Sequence, residues 1–161
     1  MNADPQVTRY FPAALSRDES DALIDRAEAS FNDVQFGLWA VEIDGRLAGF
    51  TGLGRVAFEC TVESRVEIGW RFARWAWGAG YATEAASLCL DDAFSRLGLD
   101  GVVAFTTTTN VRSEAVMRRL AMHRRMDLDF DHPRTPGWWG QRHIVYEIDS
   151  TDWRTSPQVG Q

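Results

Sequence analysis

The spacing of apolar positions changes several times along this chain, and each change marks an element. Ser16 followed by Glu19 reads as a capping box. It predicts a helix from about Arg17 to Phe31 with Ala22, Leu23, Ala27 and Phe31 turned inward. From Phe36 to Ile43 the pattern becomes strand-like, and Arg46 to Val56 repeats it. Asp44-Gly45 joins the two runs and is a strong hairpin signal. Val66 to Phe72 reads as a third strand, followed by a loop from Ala73 to Gly80.

A long helix then runs to about Leu97. It carries Ala82, Ala85, Ala86, Cys89, Leu90, Ala93, Phe94 and Leu97 on one face, with Gly98 as its C-cap. Val102 to Thr108 is a β-branched strand, and a short helix spans about Val111 to Ala121 with Ala115, Val116 and Leu120 inward. Two more strands are expected near Arg124–Phe130 and His143–Ile148. The order implies a mixed α/β sheet with a right-handed strand–helix–strand step at its centre. One domain covers residues 1–149, and residues 150–161 read as a polar, frayed tail.

Bulk properties narrow the function classes. The chain has 161 residues, enough to bury a core without disulfides or a structural metal. Its formal net charge of −6 counts against a nucleic-acid binder. No apolar run approaches a membrane span, and the N-terminus lacks the features of a secretory signal. Cys60 and Cys89 read as reduced thiols of a cytoplasmic protein, and His123, His132 and His143 lack metal-ligand spacing.

The chemistry concentrates between Val66 and Ala85. A strand ends there, a glycine-bearing turn follows, and a helix begins. Glycines let the backbone curl closely around a ligand, and a helix start offers unpaired N–H groups to a phosphate. Gly78-Ala79-Gly80-Tyr81-Ala82-Thr83 lacks the last glycine of a dinucleotide fingerprint, and no GK[ST] of a P-loop is present. A tight turn with no ligand is the competing reading.

Trp77-Gly78-Ala79-Gly80-Tyr81-Ala82 resembles the pyrophosphate motif of the GNAT acetyltransferases, [Q/R]-x-x-G-x-[G/A]. "EIGW…WGAGYATEA", together with Asn110-Val-Arg112-Ser113 and the helix up to Met122, looks like the RimJ/RimL-type branch. Asp129 to Pro133 resembles a subgroup of it, and the similarity runs from Asn2 to Ile148. The resemblance implies a mostly antiparallel sheet, splayed between the Glu67–Phe72 and Val102–Thr108 strands, with acetyl-CoA as cosubstrate and no metal. It implies transfer of an acetyl group to a primary amine, either a protein N-terminus or a small molecule, by a monomer or homodimer. A catalytically silent CoA-binding module of the same fold is the alternative.

The resemblance also assigns roles. Backbone groups of Trp70, Arg71 and Phe72 would pair with pantetheine, and Trp77 to Ala82 would hold the pyrophosphate. Asn110 would contact pantetheine, and an N-cap is its competing role. Ser113 would meet the leaving thiolate, against a local helix hydrogen bond. Glu67 is the candidate base, against a pairing with Arg65 or Arg71. Glu84 reads as a structural helix residue. His132 and His143 border the acceptor side without an assigned role, and Trp138 and Trp139 either wall it or anchor a loop.

Three departures stand out. Trp77 replaces the Gln or Arg of the motif and removes a side-chain phosphate contact, so backbone N–H groups would have to suffice, with help from Arg74. Ala121 replaces a glycine. Relatives also carry a strand before the segment that begins here at Asn2, so the sheet is expected to lack its usual first strand.

Overall fold

A computed structural model describes residues 1–155. The chain runs α1 (Arg17–Val34), β1 (Leu38–Ile43), β2 (Arg46–Arg55), β3 (Val66–Phe72), α2 (Tyr81–Ser95), β4 (Gly101–Thr107), α3 (Val111–Arg119), β5 (His123–Arg124), β6 (Phe130–Asp131), β7 (Arg142–Asp149) and α4 (Ser150–Thr155). The sheet order is β1-β2-β3-β4-β7-β5, with β6 also on β7. Every pairing is antiparallel except that of β3 with β4.

Local signals explain most of the frame. The Ser16 hydroxyl accepts from the Glu19 N–H, and the Glu19 carboxylate accepts from the Ser16 N–H at 2.7 Å. Asp44 and Gly45 both take positive φ, 50° and 74°, as a two-residue hairpin turn that matches strand twist requires. α2 and α3 cover one face of the sheet. Leu90, Phe94, Met117 and Leu120 pack there against Ile68 and Val102. Leu90 and Leu120 are fully enclosed; each such side chain stabilises the fold by about 1.5–3 kcal/mol. Val56, Val62, Val103, Phe130 and Val145 form a smaller core on the opposite face.

The pairing of β3 with β4 positions the site. β3 pairs with β2 along its whole length, and β4 does the same with β7. Between β3 and β4 only Glu67 and Val103 stand in register. Each strand keeps its outer partner, so the inner edges diverge beyond Glu67 and leave a cleft.

Two expectations require correction. The single strand expected near Arg124–Phe130 is two short strands flanking a turn at Met126–Leu128. The Asp129 carboxylate binds Arg124 and also accepts the Val145 N–H at 3.1 Å, so a side chain takes the place of a strand carbonyl on β7. The tail expected to fray is ordered through Thr155 as α4. Trp153 is buried beside Phe94, and its indole N–H donates to Asp91 at 2.8 Å. One aromatic anchor offsets the ordering of a short polar stretch. The rest of the expected tail, 156–161, lies outside the described residues.

No strand precedes α1 among the described residues. Residues 1–15 instead wind in turns, and Asn2 and Phe11 reach the Arg71 side chain on β3.

Candidate active site

A cavity of about 980 Å³ fills the opening between β3 and β4. It is lined by Glu67, Trp70, Arg71 and Phe72 from β3, by Trp77 and Gly78 from the turn, and by Asn110 and Ser113 at the start of α3. Two thirds of the sequence-derived candidates therefore meet in one place. Ala79, Gly80, Tyr81 and Ala82 continue the turn beside it.

The turn is built as an anion cradle. Gly78 and Gly80 take φ of 80° and 90°, and a Cβ at either would meet nothing within 4 Å. The glycines serve backbone direction and leave open space above them. The N–H groups of Gly78, Ala79, Gly80, Tyr81 and Ala82 have no acceptor among the described residues. They lie at the positive end of α2, where a pyrophosphate would complete their hydrogen bonding. The edge of β3 that faces the gap is likewise unpaired beyond Glu67. The chain thus fits acetyl-CoA at both the pyrophosphate and pantetheine ends.

Trp77, the departure from the motif, is fixed from two sides. Its indole N–H donates to the Phe72 carbonyl at 2.9 Å, tying the turn to the end of β3. The Arg112 guanidinium lies 4.3 Å from its ring centre. Arg74 is exposed and does not line the cavity, whereas Arg112 does. The arginine packed on this turn is Arg112, whereas the sequence suggested Arg74 as a helper to the backbone N–H groups. The proximity of Arg112 arises from the packing of α3 against α2.

Asn110 does two things at once. Its carbonyl oxygen caps α3 by accepting the Ser113 N–H, and its amide N–H groups donate to Thr106 Oγ1 at 2.9 Å and Ser113 Oγ at 3.0 Å. Because Ser113 Oγ accepts here, its own proton is free to be donated into the cleft.

Glu67 pairs with neither arginine weighed for it. Arg65 binds Glu147, and Arg71 turns to Asn2 and Phe11. Burial pushes the Glu67 carboxyl up to about 7 from its ordinary 4.5, with the nearby charge of Arg134 pulling weakly the other way. Phe58, Phe105, His132 and His143 line the same cavity. The two imidazole centroids are 5.2 Å apart, and the His132 ring lies tilted with its centre 4.5 Å from that of Phe58. Burial lowers the pKa of both histidines, which favours their neutral form. Trp138 lines the cavity; Trp139 is exposed beside Tyr10. Glu84 is exposed in the first turn of α2, away from the cleft lining.

Sequence reasoning missed Arg134, Phe58, Gly69 and Thr106. The available signal for Gly69 was the strand period. Glu67, Gly69 and Arg71 alternate with Ile68 and Trp70 and must share one face.

A sheet parted between two parallel strands, with an anion cradle at the next helix, is the frame that the resemblance to CoA-dependent acetyltransferases implied. The comparisons agree. Residues 1–123 match the acetyltransferase (GNAT) domain family, and the chain belongs to it. The Bacillus subtilis protein YkkB is 29% identical over 148 residues, covering 91% of this chain and 81% of the relative. A GNAT-family acetyltransferase structure from Bacillus anthracis superposes with TM-score 0.74 at 22% identity, over 93% of this chain and 85% of the other. Mycobacterium smegmatis RimJ, solved in complex with CoA-disulfide, gives TM-score 0.71 at 19% identity, over 86% of this chain and 65% of its own. The protein is an acyltransferase of a family that uses acetyl-CoA and acts on amine acceptors.

Proposed function

We propose that this enzyme acetylates a primary amine, a protein N-terminus or a small molecule, by direct attack in a ternary complex, as a RimJ/RimL-type acetyltransferase. The carrying observation is the half-buried carboxyl of Glu67, lining the cavity at the point where β3 and β4 part. Branch assignment draws support from Asn110, Arg112 and Ser113 meeting at the cleft.

Acetyl-CoA supplies an activated acyl thioester. The N–H groups from Gly78 to Ala82 grip its pyrophosphate, and the free edge at Trp70, Arg71 and Phe72 aligns pantetheine. Binding energy spent there positions the reacting carbon. A fixed N–H at the parting is a donor for the thioester oxygen. Glu67 takes the proton that an ammonium must lose before its nitrogen can attack. The aromatic rings around Glu67 exclude water from this exchange. As the C–N bond forms and the C–S bond breaks, Ser113 gives its hydroxyl proton to the departing sulfur and regains one from the nitrogen, which sheds its second proton as the amide forms; Glu67 then releases its proton to solvent.

No helix among the described residues is long and apolar enough to cross a membrane. Cys60 and Cys89 are free thiols, and burial raises both thiol pKa values. Both fit our placement of this monomer or homodimer in the reducing cytoplasm.

The test is thiol release from acetyl-CoA with a panel of primary amines, followed by mass spectrometry of the products. Acetylated amine is expected with the wild type, and turnover at least about a hundred-fold lower with Glu67→Gln. Binding of CoA without acetylation of any amine would overturn the reading.

A further inference from the structure

Arg71 lies on the same β3 face as Glu67, yet it has no role in the chemistry above beyond its backbone. Its guanidinium sits 4.1 Å from the Phe11 ring centre and 5.4 Å from that of Phe50. One nitrogen, Nη1, donates to Asn2 Oδ1 at 3.0 Å. Nε is buried and has no acceptor. No carboxylate pairs with Arg71 among the described residues, although Arg65, Arg96, Arg118, Arg124 and Arg125 all have such partners. The chain has 23 Asp and Glu against 17 Lys and Arg, so acids are not scarce. A half-buried cation without a counter-charge is costly unless something else supplies one.

The geometry points to an acceptor that carries an anionic group, a carboxylate or phosphate several bonds from its amine, with Arg71 as the residue that selects it. This inference rests on the acetyl-transfer reading and names the substrate class for the same cleft. Glu67 and Arg71 are four residues apart on one strand face, roughly 13 Å between Cα atoms. Gly69 lies between them, and a Cβ there would meet nothing within 4 Å. The cleft therefore has an acidic end for the ammonium, a basic end for the anion and an open floor between. Arginine suits that second task because its planar fork matches an oxyanion and its faces stack on the two rings.

A purely structural Arg71, clamping residues 2–11 onto β3, makes a different prediction. It would affect stability but treat charged and neutral acceptors alike. The experiment uses the full chain and matched acceptor pairs: aminohexanoate against its amide, and peptides with Glu against Gln at the second position. In the wild type, kcat/KM is expected to favour the anionic member of at least one pair by about ten-fold or more, carried by acceptor KM. Whichever pair shows it identifies a small amine or a peptide as the source. In Arg71→Gln the ratio is expected to fall to about one. A wild-type ratio near one in both pairs overturns the inference, whether or not the variant folds, and leaves acetyl transfer standing. A ratio that survives in Arg71→Gln also overturns it. Absence of acetylation with every acceptor sinks both readings.

Discussion

The Arg112 guanidinium lies 4.3 Å from the centre of the Trp77 ring, so a cation from α3 is held over the turn that opens α2. The stack places positive charge where the family motif carries Gln or Arg. Arg112→Gln is expected to raise the KM for acetyl-CoA by about ten-fold while changing kcat little, as loss of a charge-assisted contact would do. Steady-state kinetics at saturating acceptor reads this directly, and an unchanged KM would remove Arg112 from the CoA site.

Glu67 couples activity to pH with a definite sign. In the proposed mechanism the carboxylate is the working form, so kcat/KM is expected to rise as pH increases through about 7. The ratio of wild type to Glu67→Gln cancels the ionisation of the amine itself. That ratio should climb about ten-fold per unit below pH 7 and level off above it.

The same residue sets a stability cost. Its folded pKa of about 7 lies above the ordinary 4.5, so the folded chain holds the proton more tightly than the unfolded one. Its stabilising contribution is present below 4.5 and is lost as pH rises through 7. Glu67→Gln, which cannot ionise, should match the wild type near pH 4. It should exceed the wild type at pH 8 by up to about 3 kcal/mol. Denaturant melts at the two pH values test the trend; a variant less stable at pH 8 would contradict the burial argument.

Gly69 offers a way to narrow the cleft without disturbing the fold. The space above it accepts a side chain, and valine suits a strand. Gly69→Val is expected to keep the wild-type Tm within a few degrees and to raise acceptor KM by about ten-fold. Differential scanning calorimetry and acceptor titration separate the two effects.

Ala121 ends α3 with φ of 57°, a left-handed conformation that a Cβ disfavours. The glycine it replaces in the family motif had a conformational purpose. Ala121→Gly is expected to stabilise the protein by about 0.5–1 kcal/mol, measured by urea denaturation, with kinetics unchanged.

Periodicity and turn chemistry were sufficient for the capping box at Ser16, the Asp44-Gly45 hairpin, the apolar face of α2 and the glycine turn before it. These depend on residues within a few positions of one another, and the backbone there has few choices. The sequence therefore determined the element order as far as α3 and the glycine turn on which the proposed CoA site rests. The anchoring of α4 by Trp153 and the breaking of the fifth expected strand by Asp129 were not legible, because each depends on a partner remote in the chain. The same holds for the functional details. Glu67 is an ordinary acid until β3 parts from β4 and buries it, Arg112 is a helix arginine until α3 packs beside Trp77, and Arg71 is a strand arginine until Phe11 and Phe50 enclose it without a counter-charge. Burial and long-range contact set the pKa of the first and the partners of the other two, and only the tertiary structure supplies them.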